Sequence, residues 1–122
     1  MQWMRENGMT NVSLSYGKAD NLKVFRDKSM DVVFTDAALI YVGPDKIDSV
    51  IKEMLRVARK AIVLIEWSCA EPHAYLSDHW AYNWELLFRA RGFSGNLRLA
   101  KLTKDIWPGA WARYGYLVEA VF

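Results

Sequence analysis

Met30-Asp31-Val32-Val33-Phe34-Thr35 and Ala61-Ile62-Val63-Leu64-Ile65 frame the stretch on which the fold turns. Each has a continuous, largely β-branched centre, the pattern of a strand covered on both faces. Between them, Gly43-Pro44-Asp45 predicts the start of a helix. Proline fits the first helical turn, and aspartate suits the positive end of the dipole. Ile47, Val50, Ile51, Met54, Leu55 and Ala58 then recur at intervals of three and four, so one stripe faces a core. Lys52, Arg56, Arg59 and Lys60 gather toward the far end, as the dipole prefers.

Upstream of this unit, Leu22 to Lys28 is mixed and polar and predicts a loop. Val12-Ser13-Leu14-Ser15-Tyr16 alternates with a period of two, which predicts a half-buried strand. Met1–Asn7 reads as the tail of a helix, ended by Gly8 in the left-handed conformation. Downstream, Ser77 is placed to cap a second helix and Gly92 to close it, with Trp80, Trp84, Leu87 and Phe88 as its stripe. Phe93 sits where a residue after such a glycine packs back on the last turn. Leu97 to Leu102 alternates as a strand, and Tyr116 to Phe122 reads as a final one. Trp107-Pro108-Gly109 punctuates the connection, so this last pair is expected to be antiparallel. Strands alternating with helices predict an α/β fold, a mostly parallel sheet with flanking helices, in one domain spanning residues 1–122.

Composition agrees with that reading. The 122 residues are 52% apolar and 25% charged, enough for one core and too apolar for a disordered chain. Lysine and arginine total 16 against 14 acidic residues, a net charge of +2 that gives no general pull toward nucleic acid or an anionic membrane. One cysteine allows no intramolecular disulfide and favours a reducing compartment. The longest apolar runs, Ala37–Val42 and Ala61–Ile65, are far short of a spanning helix, and the first residues lack a secretory pattern. A soluble, cytoplasmic protein is expected. Five aromatic residues lie in residues 1–60 and twelve in 61–122, so a pocket wall or lid would be built late in the chain.

Five motifs, in order, resemble the small-molecule class I S-adenosylmethionine-dependent methyltransferases (methyltransferase type 11-like). Gly17-Lys18-Ala19-Asp20-Asn21-Leu22 looks like the family's Gly-Asp-Ala-x-x-Leu after its third strand, and Asp27 to Phe34 like its Asp-x-Ser-Phe-Asp-x-Val fourth strand. Leu39-Ile40-Tyr41-Val42 resembles Leu-x-His-Val, Glu53 to Val57 resembles Glu-x-x-Arg-Val, and Arg91-Gly92-Phe93 resembles Ala-Gly-Phe. The departures are Lys18 for aspartate, Tyr41 for histidine, Arg59-Lys60 for a Lys-Pro-Gly-Gly turn, and no Gly-x-Gly-x-Gly loop.

The resemblance implies a carboxy-terminal portion: strands 3, 4, 5, 6 and 7 of the family order 3-2-1-4-5-7-6, strand 7 antiparallel, without strands 1 and 2. Strand 4, Val32 to Thr35, would then be an apolar open edge, which invites pairing with another chain. One face of the sheet would lose helix cover. Three arrangements are expected: self-association, a complementary methyltransferase half, or re-pairing of Val12–Tyr16 beside Val32–Thr35.

By the same resemblance, Lys18 and Ala19 would lie near the adenine of S-adenosylmethionine, and Thr35, Asp36 and Ala37 over its methionine part. The last three also follow a buried parallel strand, where ligands bind in open α/β sheets. A turn cap is the plain alternative for Asp36, and an exposed loop charge for Lys18. Tyr41, Glu66 and Trp67 are candidates for the substrate side, Tyr41 alternatively for packing. His73 and His79 are the candidate general bases, against a plain reading as exposed or hydrogen-bonded histidines. Cys69, His73 and His79 with Glu71 or Asp78 match no standard zinc spacing, so no metal is expected. Cys69 has no evident partner as a nucleophile. Trp107, Trp111, Tyr114 and Tyr116 would close an apolar pocket or pack the last hairpin.

The implied reaction is direct methyl transfer to a small-molecule acceptor, by the chain with its complement or as an oligomer; alone it is expected to be inactive. The alternatives are a non-catalytic binding or assembly module on the same scaffold, and an unrelated nucleotide-binding α/β domain using Asp36.

Overall fold

In the computed structural model, which describes residues 2–122, Met30–Asp36 forms β1 and Ala58–Trp67 forms β2, joined through helix α2 at Ile47–Val57. β1 and β2 pair in parallel, from Met30 beside Ala58 to Asp36 beside Ile65. A short helix α1 at Gln2–Glu6 precedes them, and Gly8 follows it at φ +71°. Met1 lies outside the described residues. A hairpin, β3 at His73–Leu76 and β4 at His79–Tyr82, leads into α3 at Trp84–Ala90. β5 at Asn96–Lys101, α4 at Ala110–Tyr114 and β6 at Gly115–Val121 complete the chain.

The main sheet has the order β1-β2-β6-β5. β6 is antiparallel to both β2 and β5, so β1, β2 and β5 run one way and β6 alone runs the other. The last two strands pair antiparallel, as the turn residues predicted.

One face of the sheet carries the core. Ile47, Val50, Ile51 and Met54 of α2 pack on Ile62 and Leu64 of β2 and on Val118 and Ala120 of β6, with Trp84 and Phe88 of α3. Gly92, at φ +82°, lets the chain reverse so that Phe93 donates its N–H to Phe88 O and buries its ring 5.7 Å from that of Phe88. The Glu-x-x-Arg motif acts as a clip. Glu53 accepts the Leu22 N–H at 2.7 Å, and Arg56 donates to the carbonyls of Leu22 and Phe25 and to Asp27, all at 2.9 Å. These contacts hold the loop that enters β1.

Three expectations are corrected. Val12–Tyr16 forms no strand, so the five-strand reading of the sheet loses its third family strand. The segment is exposed coil that pairs with no strand, and alternation without a ladder forms nothing. Nor does it re-pair beside β1. β1 is not covered on both faces; Val32 is 51% and Phe34 72% exposed. α1 buries none of its residues and supplies no cover there. The second helix does not start at Ser77. Ser77 and Asp78 take φ of 46° and 67°, a turn with two positive φ angles that suits a two-residue hairpin. Trp80 therefore belongs to a strand, and Asn83 is the helix cap, accepting the Leu86 N–H at 3.0 Å. No helix among the described residues is long and apolar enough to cross a membrane.

Candidate functional site

β1 and β2 end side by side, and the residues following them make the turn at the carboxyl end of the sheet. Ala37 continues the ladder by donating its N–H to Ile65 O at 3.0 Å, then takes φ +52°. A non-glycine residue in the left-handed region is strained by its Cβ and persists only where its surroundings enforce it. Glu66 enforces it. Its carboxylate accepts Thr35 Oγ1–H at 2.7 Å and Ala38 N–H at 3.1 Å on one oxygen, and Leu39 N–H at 2.9 Å and Ile40 N–H at 3.2 Å on the other. Glu66 thus caps the one-turn 3-10 helix Leu39–Tyr41 from a neighbouring strand. Burial pushes its pKa above the usual carboxylate value, and these four donors pull back toward the charged form.

The candidate site residues fall into two groups, with His73 apart from both. Thr35, Asp36, Ala37, Tyr41, Glu66, Trp67 and His79 gather at the carboxyl end. Thr35 is engaged by Glu66, while Asp36 is exposed with no hydrogen-bond partner among the described residues. Glu66, a candidate for the substrate side, has no exposed surface and a full set of backbone and hydroxyl donors. Tyr41 and Trp67 both set rings against the His79 imidazole at 5.0 Å and 70°. His79 Nδ1 lies 2.9 Å from Ser77 O, which assigns the proton to Nδ1 and leaves Nε2 as an acceptor. Trp67 is buried and continues the cluster to Trp111 at 5.8 Å and Tyr114 at 5.0 Å; its Nε1–H has no partner among the described residues.

Lys18 and Ala19 form the second group, apart from the first. They sit in the coil that lines one side of a 1020 Å³ cavity whose other side is Met30, Val32, Val33 and Val57. His73 is exposed at the open end of the β3–β4 hairpin, its ring 5.9 Å from Trp80. It stands at the opposite end from His79, which pairs with Leu76 beside the turn. Cys69 donates to Glu71 O, and burial raises its thiol pKa, the reverse of what a nucleophile needs. Among the described residues no group of three or more His, Cys, Asp or Glu side chains is placed to hold a metal ion.

Sequence reasoning did not find the Glu66 cap, the Ala37 strain or α4, which brings Trp111 and Tyr114 to Trp67. The traces were the aromatic weight of the second half and the reading of Trp111 and Tyr114 as residues that close a pocket or pack the last hairpin. Tyr82 was also missed: its hydroxyl donates to Val42 O, and burial, with Asp45 and Cys69 nearby, raises its pKa.

No family model and no curated protein matches this chain. Solved structures do. An S-adenosylmethionine-dependent methyltransferase from Aquifex aeolicus aligns over 98% of this chain with a TM-score of 0.64 at 16% identity. The [4+2]-cyclase SpnF aligns over 98% with a TM-score of 0.63 at 16% identity. A methyltransferase from Methanosarcina mazei aligns over 98% with a TM-score of 0.58 at 19% identity. The α/β fold with its mixed sheet is thus that of part of the S-adenosylmethionine-dependent methyltransferase structures. The chain spans 59% of the Aquifex aeolicus structure, 60% of SpnF and 74% of the Methanosarcina mazei structure.

Proposed function

We propose that the chain is the carboxy-terminal part of an S-adenosylmethionine-dependent methyltransferase acting on a small-molecule acceptor in the cytoplasm. In this reading β1, β2, β6 and β5 are strands 4, 5, 7 and 6 of the family sheet. The observation that carries it is the strand order with β6 alone reversed, within a structure similar over 98% of its length to the Aquifex aeolicus methyltransferase. Activity belongs to the chain together with a complementary half or in a self-associated form.

The residues present fit the methyl donor at one end only. Asp36, exposed beside the strained Ala37, suits an ammonium group such as that of the methionine part. Lys18 and Ala19 offer no carboxylate to an adenine amino group. S-adenosylmethionine, when bound, supplies an electrophilic methyl carbon on sulfur. The chain's own residues do the rest. Glu66 fixes the backbone from Ala38 to Ile40 and so fixes where Tyr41 stands. His79 Nε2 is free to take a proton from an acceptor oxygen or nitrogen. Trp67, Trp111 and Tyr114 exclude water on that side.

A second reading, a non-catalytic binding or assembly module, is supported by the full engagement of Glu66 within the protein and by the partial fit to the donor. The similarity to SpnF is a reminder that one fold carries unrelated chemistries. Calorimetry with S-adenosylmethionine separates the two. Millimolar binding by the chain alone, tightening to micromolar when a complementary half with a Gly-rich loop is added, is expected. Absent binding in both conditions would leave the second reading.

A further inference from the structure

Trp67 ends β2 with an unmet donor. Its side chain is 2% exposed, and its Nε1–H has no hydrogen-bond partner among the described residues. An indole N–H donates and cannot accept, so a buried one calls for an acceptor atom beside it. The rings of His79 and Tyr114, each at 5.0 Å, and of Trp111 at 5.8 Å bound the indole. His79 is the complementary group. Its Nδ1 is committed to Ser77 O, so Nε2 is an acceptor with no donor among the described residues. One hydroxyl group meets both needs: its oxygen accepts from Trp67 and its proton goes to His79.

Trp111 and Tyr114 come from α4, which buries none of its residues. The two are held unequally. Around Tyr114 the backbone is tied down. Tyr114 O accepts the Ser68 N–H at 2.9 Å, and Lys101 Nζ donates to Ala112 O at 2.6 Å and to Arg113 O at 3.0 Å. Ahead of Trp111 the bonds are local, Trp107 N–H to Thr103 O and Ala112 N–H to Gly109 O. Gly109, at φ +76°, has open space on its Cβ side. Trp107 stacks on Trp111 at 4.3 Å and 16°, so the two rings move as a pair.

We infer that Trp67 Nε1–H and His79 Nε2 form a binding site for the hydroxyl of a neutral aromatic alcohol, closed by the Trp107–Trp111 pair. The ligand's ring takes the place against Trp67 that Trp111 vacates, so it is flat and of indole size. Neutrality follows from the charges present. Glu66 is the one buried charged residue among those described, and four donors occupy its carboxylate. No buried side chain is left to pair with a charged ligand, and an unpaired charge there is costly. An ammonium would also leave the Trp67 donor without an acceptor. Exposed Arg113 lies against the Tyr114 ring at 5.5 Å, so an anion belongs among the probes.

The inference deepens the methyltransferase reading and rests on it for the fate of the hydroxyl as methyl acceptor. Its test contains no methyl donor, so the two fail separately. The probe is 2-naphthol, titrated into the full nitrogen-labelled chain in mildly alkaline buffer, where imidazole is neutral. The Trp67 indole proton, assigned through its contacts with Tyr114, should move downfield and saturate. Naphthalene, which has no oxygen, should not move it downfield. 2-Naphthoate and 2-naphthylmethylammonium should bind about tenfold more weakly or less. 2-Methoxynaphthalene accepts from Trp67 but has no proton for His79, so it should also bind about tenfold more weakly than 2-naphthol. His79→Phe should bring those two to equal affinity. Trp111→Ala should speed exchange of the Trp67 indole proton with water about tenfold or more and leave the β2 amides as they were. A Trp67 proton unmoved by 2-naphthol overturns the inference. So do equal downfield shifts from naphthalene and 2-naphthol, tighter binding of either ion, or unchanged indole exchange in Trp111→Ala.

Discussion

Glu66 and Glu53 show how one residue type serves opposite electrostatic ends. Glu66 is desolvated and raised in pKa, yet it holds the Thr35–Tyr41 turn through three backbone donors and one hydroxyl. Glu66→Ala leaves three backbone N–H groups without that acceptor and should cost about 3 kcal/mol in urea unfolding, at roughly 1–3 kcal/mol per buried unsatisfied group. Glu66→Gln keeps one carbonyl oxygen and should cost less. Glu53 behaves the other way. Its bonds from Arg56 and from the Leu22 N–H hold its pKa down to about 2, against 4.5 for an unperturbed glutamate. A carboxylate lowered on folding stabilises above its unfolded pKa, and that contribution drains away as pH falls toward the folded value. The unfolding midpoint should therefore drop between pH 4.5 and about 2, and Glu53→Gln should flatten that drop. Arg56, the partner, stays charged throughout this window.

Elements in this chain stop and start where small local contacts decide. The β3–β4 turn places Ser77 and Asp78 at positive φ, a conformation that costs an L-residue about 1–2 kcal/mol. Asp78→Gly should raise stability by about 1 kcal/mol and increase amide protection in His79–Tyr82. Gly95 marks the opposite case. A Cβ there would stand 2.3 Å from Val121 O and 2.7 Å from the Phe93 ring, both fixed by the sheet and by α3. Gly95→Ala should destabilise by more than about 2 kcal/mol in thermal unfolding, because backbone has to move. Helix α2 and strand β2 were legible from spacing alone, since their buried stripes obey one period over many residues. The hairpin was not. Trp80 and Trp84 stand four apart and mimic a helical stripe, while the turn that puts Trp80 in a strand depends on two φ angles that serine and aspartate do not announce.

The molecule as a whole has one covered sheet face and, at β1, an apolar unpaired edge. Val32 and Phe34 are large apolar residues in solvent, on an unpaired strand, the arrangement that promotes edge-to-edge association. Phe34→Lys should raise the soluble limit in polyethylene glycol precipitation and change the unfolding free energy by less than about 0.5 kcal/mol. A loss of several kcal/mol would mean that the Phe34 ring is buried in solution.

The sequence by itself determined the α/β class, the β1–α2–β2 unit, the Gly92–Phe93 helix end and the antiparallel final pair. Each follows from a period, a cap or a turn residue acting within a few positions of itself. Tertiary structure alone decided that Val12–Tyr16 stays coil, that Glu66 faces backbone, and that Trp67 meets Trp111, Tyr114 and His79. Those outcomes depend on which segments lie beside one another. A strand exists only when an edge is near enough to bond it, and a carboxylate finds its donors only once two distant segments end together.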